Sequence, residues 1–129
     1  MYSNTTILGN VGRDPEMRFT PSGTAVCSFS VATSETFTKD GQKTKRTTWF
    51  KVTAWGKLAE VCNQYVKKGM LVFVSGRLVA DESGGPKVWT DKGGSAKASF
   101  ELNANEVKFL TRSEAEHSEA PQAEQEFPF

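Results

Sequence analysis

Only one segment of this chain, residues 57–68, spaces its apolar residues as a helix does, and the other patterned segments have the character of strands. The helical stripe consists of Leu58, Val61, Cys62 and Tyr65. Strands are predicted for residues 4–12, 25–31, 47–55, 70–80 and 98–110. Three strands, a helix and two strands is the order found in the OB-fold, a five-stranded Greek-key barrel. We therefore predict an all-β OB-fold barrel with one helix between strands 3 and 4.

The end of the helix and a change of side-chain alternation in the last strand can also be predicted. Lys67 and Lys68 carry positive charge where a helix C-terminus favours it, and Gly69 can adopt the left-handed cap conformation. We therefore expect the helix to continue to Lys68. The last strand is expected to change phase near Glu106.

Two polar connections separate the later strands. Residues 38–46 contain Asp40-Gly41, a frequent two-residue turn, so we predict a long hairpin with residues 38–46 as its loop. A Gly-rich and mobile loop is predicted for residues 83–94, with Trp89 between its glycine clusters.

The cysteines and the single histidine do not suggest a metal site. Cys27 and Cys62 each fall on a predicted apolar face, so we interpret them as small buried hydrophobic residues rather than as a disulfide or a zinc pair. His117 stands alone in a polar segment. We expect neither a metal nor a cofactor.

The chain also has no apolar run long enough to span a membrane and no secretory signal pattern, so we expect it in the cytoplasm, associated with the nucleoid.

Charge divides the chain into two parts. Residues 1–110 carry 15 Lys and Arg against 10 Asp and Glu, a balance of +5, whereas residues 111–129 carry one Arg against five Glu, a balance of −4. We predict a basic OB-fold domain over residues 1–110 and a disordered acidic tail over residues 111–129.

The strand at residues 47–55 carries the strongest functional signal. If Phe50, Val52 and Ala54 face the barrel interior, Trp49, Lys51 and Trp55 share the outer face. Two exposed tryptophans are costly unless something covers them, and bases of a single strand could stack on the indoles while phosphates meet the lysine. The alternatives are that these rings pack under a loop or against another subunit.

Two further aromatic residues favour the stacking interpretation. Phe37 is predicted to stand in a loop near Lys39, and Trp89 lies near Lys87 in the Gly-rich loop. Neither has a local core to join. We therefore predict a base-stacking track of four aromatic side chains: Phe37, Trp49, Trp55 and Trp89.

Basic residues near this track could bind phosphates. Any one of them is by itself more typical of an ordinary solvated surface, but as a group they could supply a path for the backbone. The residues are Arg18, Lys43, Lys45, Arg46, Lys51 and Lys87.

Seven short motifs follow one another along residues 3–110. They are residues 9–18 (GNVGRDPEMR), 31–35 (VATSE), 48–52 (TWFKV), 55–61 (WGKLAEV), 65–69 (YVKKG), 74–78 (VSGRL) and 89–91 (WTD). Together they resemble the motifs of bacterial-type single-stranded DNA-binding proteins.

The resemblance implies a function and a set of site residues. It implies sequence-independent binding and protection of single-stranded DNA in replication, recombination and repair, by a homotetramer that catalyses no reaction. It carries base stacking to the same four positions, 37, 49, 55 and 89, and it adds Lys57 and Lys68 to the phosphate path. Phe50 stands where the family often has a histidine in the subunit contact.

The acidic tail ends in a distinctive segment. Bulky aromatic residues at a free terminus have nothing local to bury them, and proline favours an extended shape that a partner's pocket could accept. The resemblance implies that this tip recruits replication and repair proteins. Its residues are Glu124, Glu126, Phe127, Pro128 and Phe129.

Two other functions remain open at this point. The exposed aromatic residues could make the chain a protein-interaction adaptor. An RNA-binding or enzymatic OB-fold is the second alternative, although the sequence offers no convincing nucleophile and no carboxylate cluster for a metal.

Overall fold

The computed structural model describes residues 1–110. These residues form β1 Thr5–Val11, β2 Glu16–Phe19, β3 Ala25–Lys39, β4 Gln42–Trp55, α1 Lys57–Tyr65, β5 Leu71–Leu78, β6 Val88–Thr90, β7 Ala96–Ala98 and β8 Phe100–Phe109. The predicted acidic tail, residues 111–129, lies outside the described residues, as does His117. Within residues 1–110, no helix has the length and apolar character needed to cross a membrane.

Five long strands close into a barrel. The hydrogen-bonded order of the main sheet is β1-β5-β8-β4-β3-β2, and β1 also pairs with β3, which closes the sheet. β4 and β8 run parallel, whereas the other paired strands run antiparallel. Helix α1 lies between β4 and β5, the third and fourth barrel strands. The predicted OB-fold is confirmed, with β2 as an added edge strand on β3.

The barrel interior is filled by apolar side chains from alternate positions of the strands and by one side of α1. Val52 and Ala54 are fully buried there, as the alternation in β4 predicts. Cys27 and Cys62 belong to the same core and are free thiols, so their interpretation as small buried hydrophobic residues is confirmed. Burial, and secondarily the nearby Cys27, raises the pKa of Cys62 to about 12. This thiol therefore stays protonated at neutral pH.

Helix α1 is shorter than predicted. It ends at Tyr65, because Val66 has an extended backbone (φ −71°, ψ 131°) that places its side chain in the core. Lys67 and Lys68 consequently lie outside the helix, and the prediction that they occupy its last turn is wrong. Gly69 does adopt a left-handed φ of 88°, but within the turn that leads into β5.

The helical stripe is also rotated from the predicted one. Ala59 and Cys62 are the buried residues of α1, whereas Tyr65 is half exposed and contacts the ring of Phe109, with the ring centres 5.9 Å apart. The stripe was misplaced because Ala59, a small residue with little apolar surface, contributes weakly to a periodic pattern.

The β3–β4 hairpin is longer than predicted. Its predicted loop, residues 38–46, is strand except for Asp40 and Gly41, whose φ values of 52° and 79° are those of a two-residue hairpin turn. The segment is polar because a two-stranded ribbon beyond the barrel has no core on either face. The long hairpin itself is confirmed.

The Gly-rich segment contains structure as well. β6 and β7 pair as a small separate hairpin, so the prediction of one continuous loop over residues 83–94 is wrong. Asp91 organises the turn of this hairpin by accepting hydrogen bonds from the backbone N–H groups of Gly93 and Ser95, each at 2.9 Å.

The predicted phase change in β8 is confirmed, since Ser75 pairs with Glu106 and Gly76 with Ala104, which leaves Asn105 in a bulge.

Candidate nucleic-acid interface

The outer face of β4 carries two half-exposed tryptophans. Trp49 is 52% exposed and Trp55 is 47% exposed, and Lys51 lies between them on the same strand face. Six steps of extended strand place the Cα atoms of Trp49 and Trp55 roughly 20 Å apart. This confirms the predicted division between the inner and outer faces of β4, and it leaves indole surface available to a ligand.

Trp49 faces a groove that it shares with Trp89. The groove has a volume of about 390 Å³, and Lys51 also lines it. Trp89 is 47% exposed and belongs to the β6–β7 hairpin, so this hairpin brings a second indole to the β4 surface. Two of the four predicted aromatic residues and one predicted cation therefore meet in one groove.

The indole of Trp49 lies against the chain segment that follows β1. Gly12, Arg13 and Ser30 line a second, smaller hollow beside it. Arg13 also lines the shared groove. The structure thus adds Arg13 to the cations near the aromatic track, although the sequence prediction had passed over it.

Trp55 has different neighbours. Its register partner across β3 is Val26, which in turn pairs with Arg18 on β2, so the three residues form one row on the outer face. Val26 is fully buried on this face. On the other side, the indole N–H of Trp55 donates to Oδ1 of Asn103 at 3.4 Å. Arg18 therefore lies two strands away from Trp55 on the same face, and Asn103 is a neighbour that the sequence did not indicate.

Lys97 is a further cation missed by the sequence prediction. It is the register partner of Trp89 in the β6–β7 hairpin, so both side chains project from one face of the ribbon. Its ammonium lies 3.8 Å from a carboxylate oxygen of Asp91. Recognising a hairpin turn after Asp91 would have placed Lys97 opposite Trp89. Lys87, one residue before β6, is exposed beside the same hairpin.

Phe37 lies apart from the tryptophans. It pairs with Thr44 in the β3–β4 ribbon, and this places it on the opposite ladder face from Trp49. The guanidinium of Arg46 lies 4.8 Å from the centre of its ring and also makes a 2.7 Å ion pair with Glu35. Phe37 is thus in a strand rather than in the predicted loop, and Arg46 covers part of its ring.

The remaining predicted cations are dispersed. Lys43 and Lys45 follow the alternation of β4 onto the face of Trp49, farther out along the ribbon. Lys57 is exposed at the start of α1. Lys68 is exposed near β2, where its backbone N–H donates to the carboxylate of Asp14 at 3.0 Å.

The shared groove has charges of both signs. Its cations are Arg13 and Lys51, and its carboxylates are Asp14, Glu16 and Glu101. Glu101 is the register partner of Lys51 on β8. Within residues 1–110, no group of three or more His, Cys, Asp or Glu side chains is placed to hold a metal ion. The groove therefore offers two indole surfaces for stacking, beside two cations and three carboxylates.

Comparison with known proteins gives consistent matches. A family model described as the single-strand binding protein family matches residues 2–110. Proteins named single-stranded DNA-binding protein from Neisseria meningitidis serogroups A and B are each 44% identical over 105 residues, which cover 81% of this chain and 57% of theirs. Single-stranded DNA-binding protein 1 of Chlorobaculum tepidum is 42% identical over 107 residues, with 81% of this chain and 62% of that protein covered. The chain thus matches less than two thirds of the length of these relatives.

A solved structure supports the fold. The structure described as a Plasmodium falciparum SSB complex with ssDNA matches with a TM-score of 0.69 at 21% identity, covering 85% of this chain and 96% of that one.

Proposed function

Because the chain belongs to the single-strand binding protein family, we propose that it binds single-stranded DNA without sequence preference and catalyses no reaction on it. The groove shared by Trp49, Lys51 and Trp89 is the observation that carries this proposal. Indole surfaces stack on any base, and neighbouring cations attract the phosphates, so neither interaction depends on sequence. The same chemistry would protect exposed strands during replication, recombination and repair.

The proposed DNA path has a centre and an extension. Trp49 and Trp89 stack the first bases, and Trp55 continues the path along β4 towards Arg18. Phe37 extends the path along the β3–β4 ribbon, where the DNA strand must cross from one face of the ribbon to the other. The proposed phosphate contacts are Arg18, Lys43, Lys45, Arg46, Lys51, Lys57, Lys68 and Lys87, to which the geometry adds Arg13 and Lys97.

Tryptophan fluorescence tests this proposal. Adding oligo-dT to the full chain is expected to quench the emission strongly, because bases stack on the indoles, and added KCl should weaken binding as counterions compete for the phosphates. A duplex of the same length should bind much more weakly, and oligo-U in competition measures any preference for DNA over RNA. Unchanged emission and anisotropy at saturating oligo-dT would remove the proposal.

Two finer proposals concern other contacts of the chain. The tail tip, residues 124–129, would bind replication and repair proteins through Phe127, Pro128 and Phe129, with Glu124 and Glu126 meeting basic residues on the partner. Self-association, as a homotetramer, would use apolar residues on the outer face of β1 and β5. Leu8 and Phe73 are register partners there and point away from the barrel core.

Sedimentation of the full chain and of a chain lacking residues 124–129 tests both finer proposals. We expect both chains to sediment as tetramers alone and to bind poly-dT equally. Only the full chain should then retain purified replication and repair proteins on immobilised DNA. A monomeric full chain would overturn the tetramer, and equal retention by the two chains would overturn the role of the tip.

A further inference from the structure

We propose that Gly12 is a positioning residue for Trp49: because position 12 has no side chain, the indole can pack directly against the backbone there. The inference deepens the proposed function, since it depends on Trp49 stacking a base. Gly12 itself would contact no DNA. Its effect on binding would pass entirely through the orientation of the ring.

The contact between the two residues is close. A Cβ atom placed on Gly12 would lie 2.7 Å from Cη2 of Trp49 and would overlap Cζ3 still more. Both atoms belong to the outer six-membered ring of the indole. Any residue other than glycine at position 12 therefore requires the ring or the backbone to move.

The backbone conformation does not explain the glycine. Gly12 lies outside the left-handed region that favours glycine, unlike Gly41 or Gly69. The φ of Gly12 therefore does not by itself require glycine. The requirement for glycine at this position is thus imposed by the neighbouring indole.

Hydrogen bonds on both sides hold the segment in place. The Gly12 N–H donates to the carbonyl of Ser30 at 2.9 Å. The preceding residue, Val11, donates to Met70 at 2.9 Å and accepts from Gly69 at 2.8 Å. Because Trp49 is a half-exposed side chain and the Gly12 backbone is anchored, a methyl group at position 12 should displace the indole and leave the strand in place.

The displacement has a direct consequence for the site. Trp49 lines the shared groove with Lys51 and Trp89. A ring moved off Gly12 would turn towards this groove or away from the β4 surface, and in either case its stacking face would no longer match the position of Trp89. The gap at Gly12 thus sets the geometry of the first stacking position.

A double-mutant cycle tests the inference. Gly12→Ala is expected to weaken oligo-dT binding by about tenfold, the loss of a large part of one stacked base. In a Trp49→Phe background, the same Gly12→Ala change should have little effect, because phenylalanine keeps a stacking face but lacks the outer indole ring. Gly85→Ala is the matched control, since its Cβ would have only ordinary contacts, 3.7 Å or longer, and its φ also lies outside the left-handed region.

A second measurement needs no DNA. In a chain with Trp55→Phe and Trp89→Phe, Trp49 is the only tryptophan, and Gly12→Ala should shift its emission maximum and its near-UV circular dichroism. If the Gly12→Ala chain fails to fold, Trp49→Phe should restore folding, because it removes the overlapping atoms.

The outcomes separate this inference from the proposed function. A wild-type chain that does not bind oligo-dT overturns the proposed function and with it the role in binding. If the wild-type chain binds and Gly12→Ala binds equally tightly, or if Gly12→Ala costs the same with phenylalanine at position 49, the positioning role of Gly12 is wrong. An unfolded Gly12→Ala chain that Trp49→Phe does not rescue overturns it as well.

Discussion

Replacing Trp49 and Trp89 together with alanine is expected to weaken oligo-dT binding by about a hundredfold or more, if each ring stacks one base worth about 1–3 kcal/mol. The two indoles line one groove with Lys51, so their loss removes the centre of the proposed path. Neither ring belongs to the buried core, so the barrel should remain folded. Fluorescence anisotropy of labelled oligonucleotides measures the affinity, and circular dichroism checks the fold.

Tyr65→Ala is the matched control for this double substitution. Tyr65 is 51% exposed, nearly the same as Trp49, but it lies on α1 against Phe109 and outside the groove. Its replacement should leave DNA affinity nearly unchanged. The double substitution should also weaken oligo-dT, oligo-dC and mixed sequences about equally. A loss confined to one sequence would indicate readout of base edges, and an unchanged affinity would exclude this groove as the stacking site.

The fold could be predicted because the local signals agree with one another. The inward phase of β4 and the single helical segment α1 each follow from short-range periodicity, and their order along the chain leaves few topologies. The end of α1 could not be predicted in the same way. Val66 leaves the helix to enter a core whose shape is set by distant strands, and no local pattern encodes that choice.

The face on which Phe37 lies was available in the sequence but was missed. A two-residue turn at Asp40-Gly41 fixes the pairing of Lys39 with Gln42, and from there the register assigns Phe37 to Thr44. A loop over residues 38–46, as predicted, has no such register and therefore assigns Phe37 to neither face. The proposed stacking track is therefore not a single flat surface, since the DNA strand must pass around the β3–β4 ribbon to reach Phe37.

The neighbours of Trp55 could not be predicted from local patterns. Its contact with Asn103 depends on the parallel pairing of β4 with β8, two strands far apart in the chain. The approach of β5 to the same part of β8 is equally non-local. Gly76 marks that approach, since it pairs with Ala104 immediately before the bulge at Asn105.

Gly76→Ala should therefore be strongly destabilising. A Cβ at position 76 would overlap the carbonyl oxygen of Asn103 and would lie 2.9 Å from the Cα of Ala104. Both obstacles are backbone atoms that cannot rotate away, so β5 and β8 must separate in the middle of the barrel. We expect the free energy of unfolding to fall by about 3 kcal/mol, measured by guanidinium denaturation at fixed protein concentration.

Gly85→Ala is again the control and should change the free energy of unfolding by less than about 0.5 kcal/mol, because its Cβ would meet no close neighbour. Equal stabilities of the two variants would show that β5 and β8 can separate without cost. If Gly76→Ala still folds, the displaced Asn103 should no longer accept the indole N–H of Trp55. The emission of Trp55 in a chain without Trp49 and Trp89 would then shift, which links the packing of two distant strands to the orientation of one proposed stacking ring.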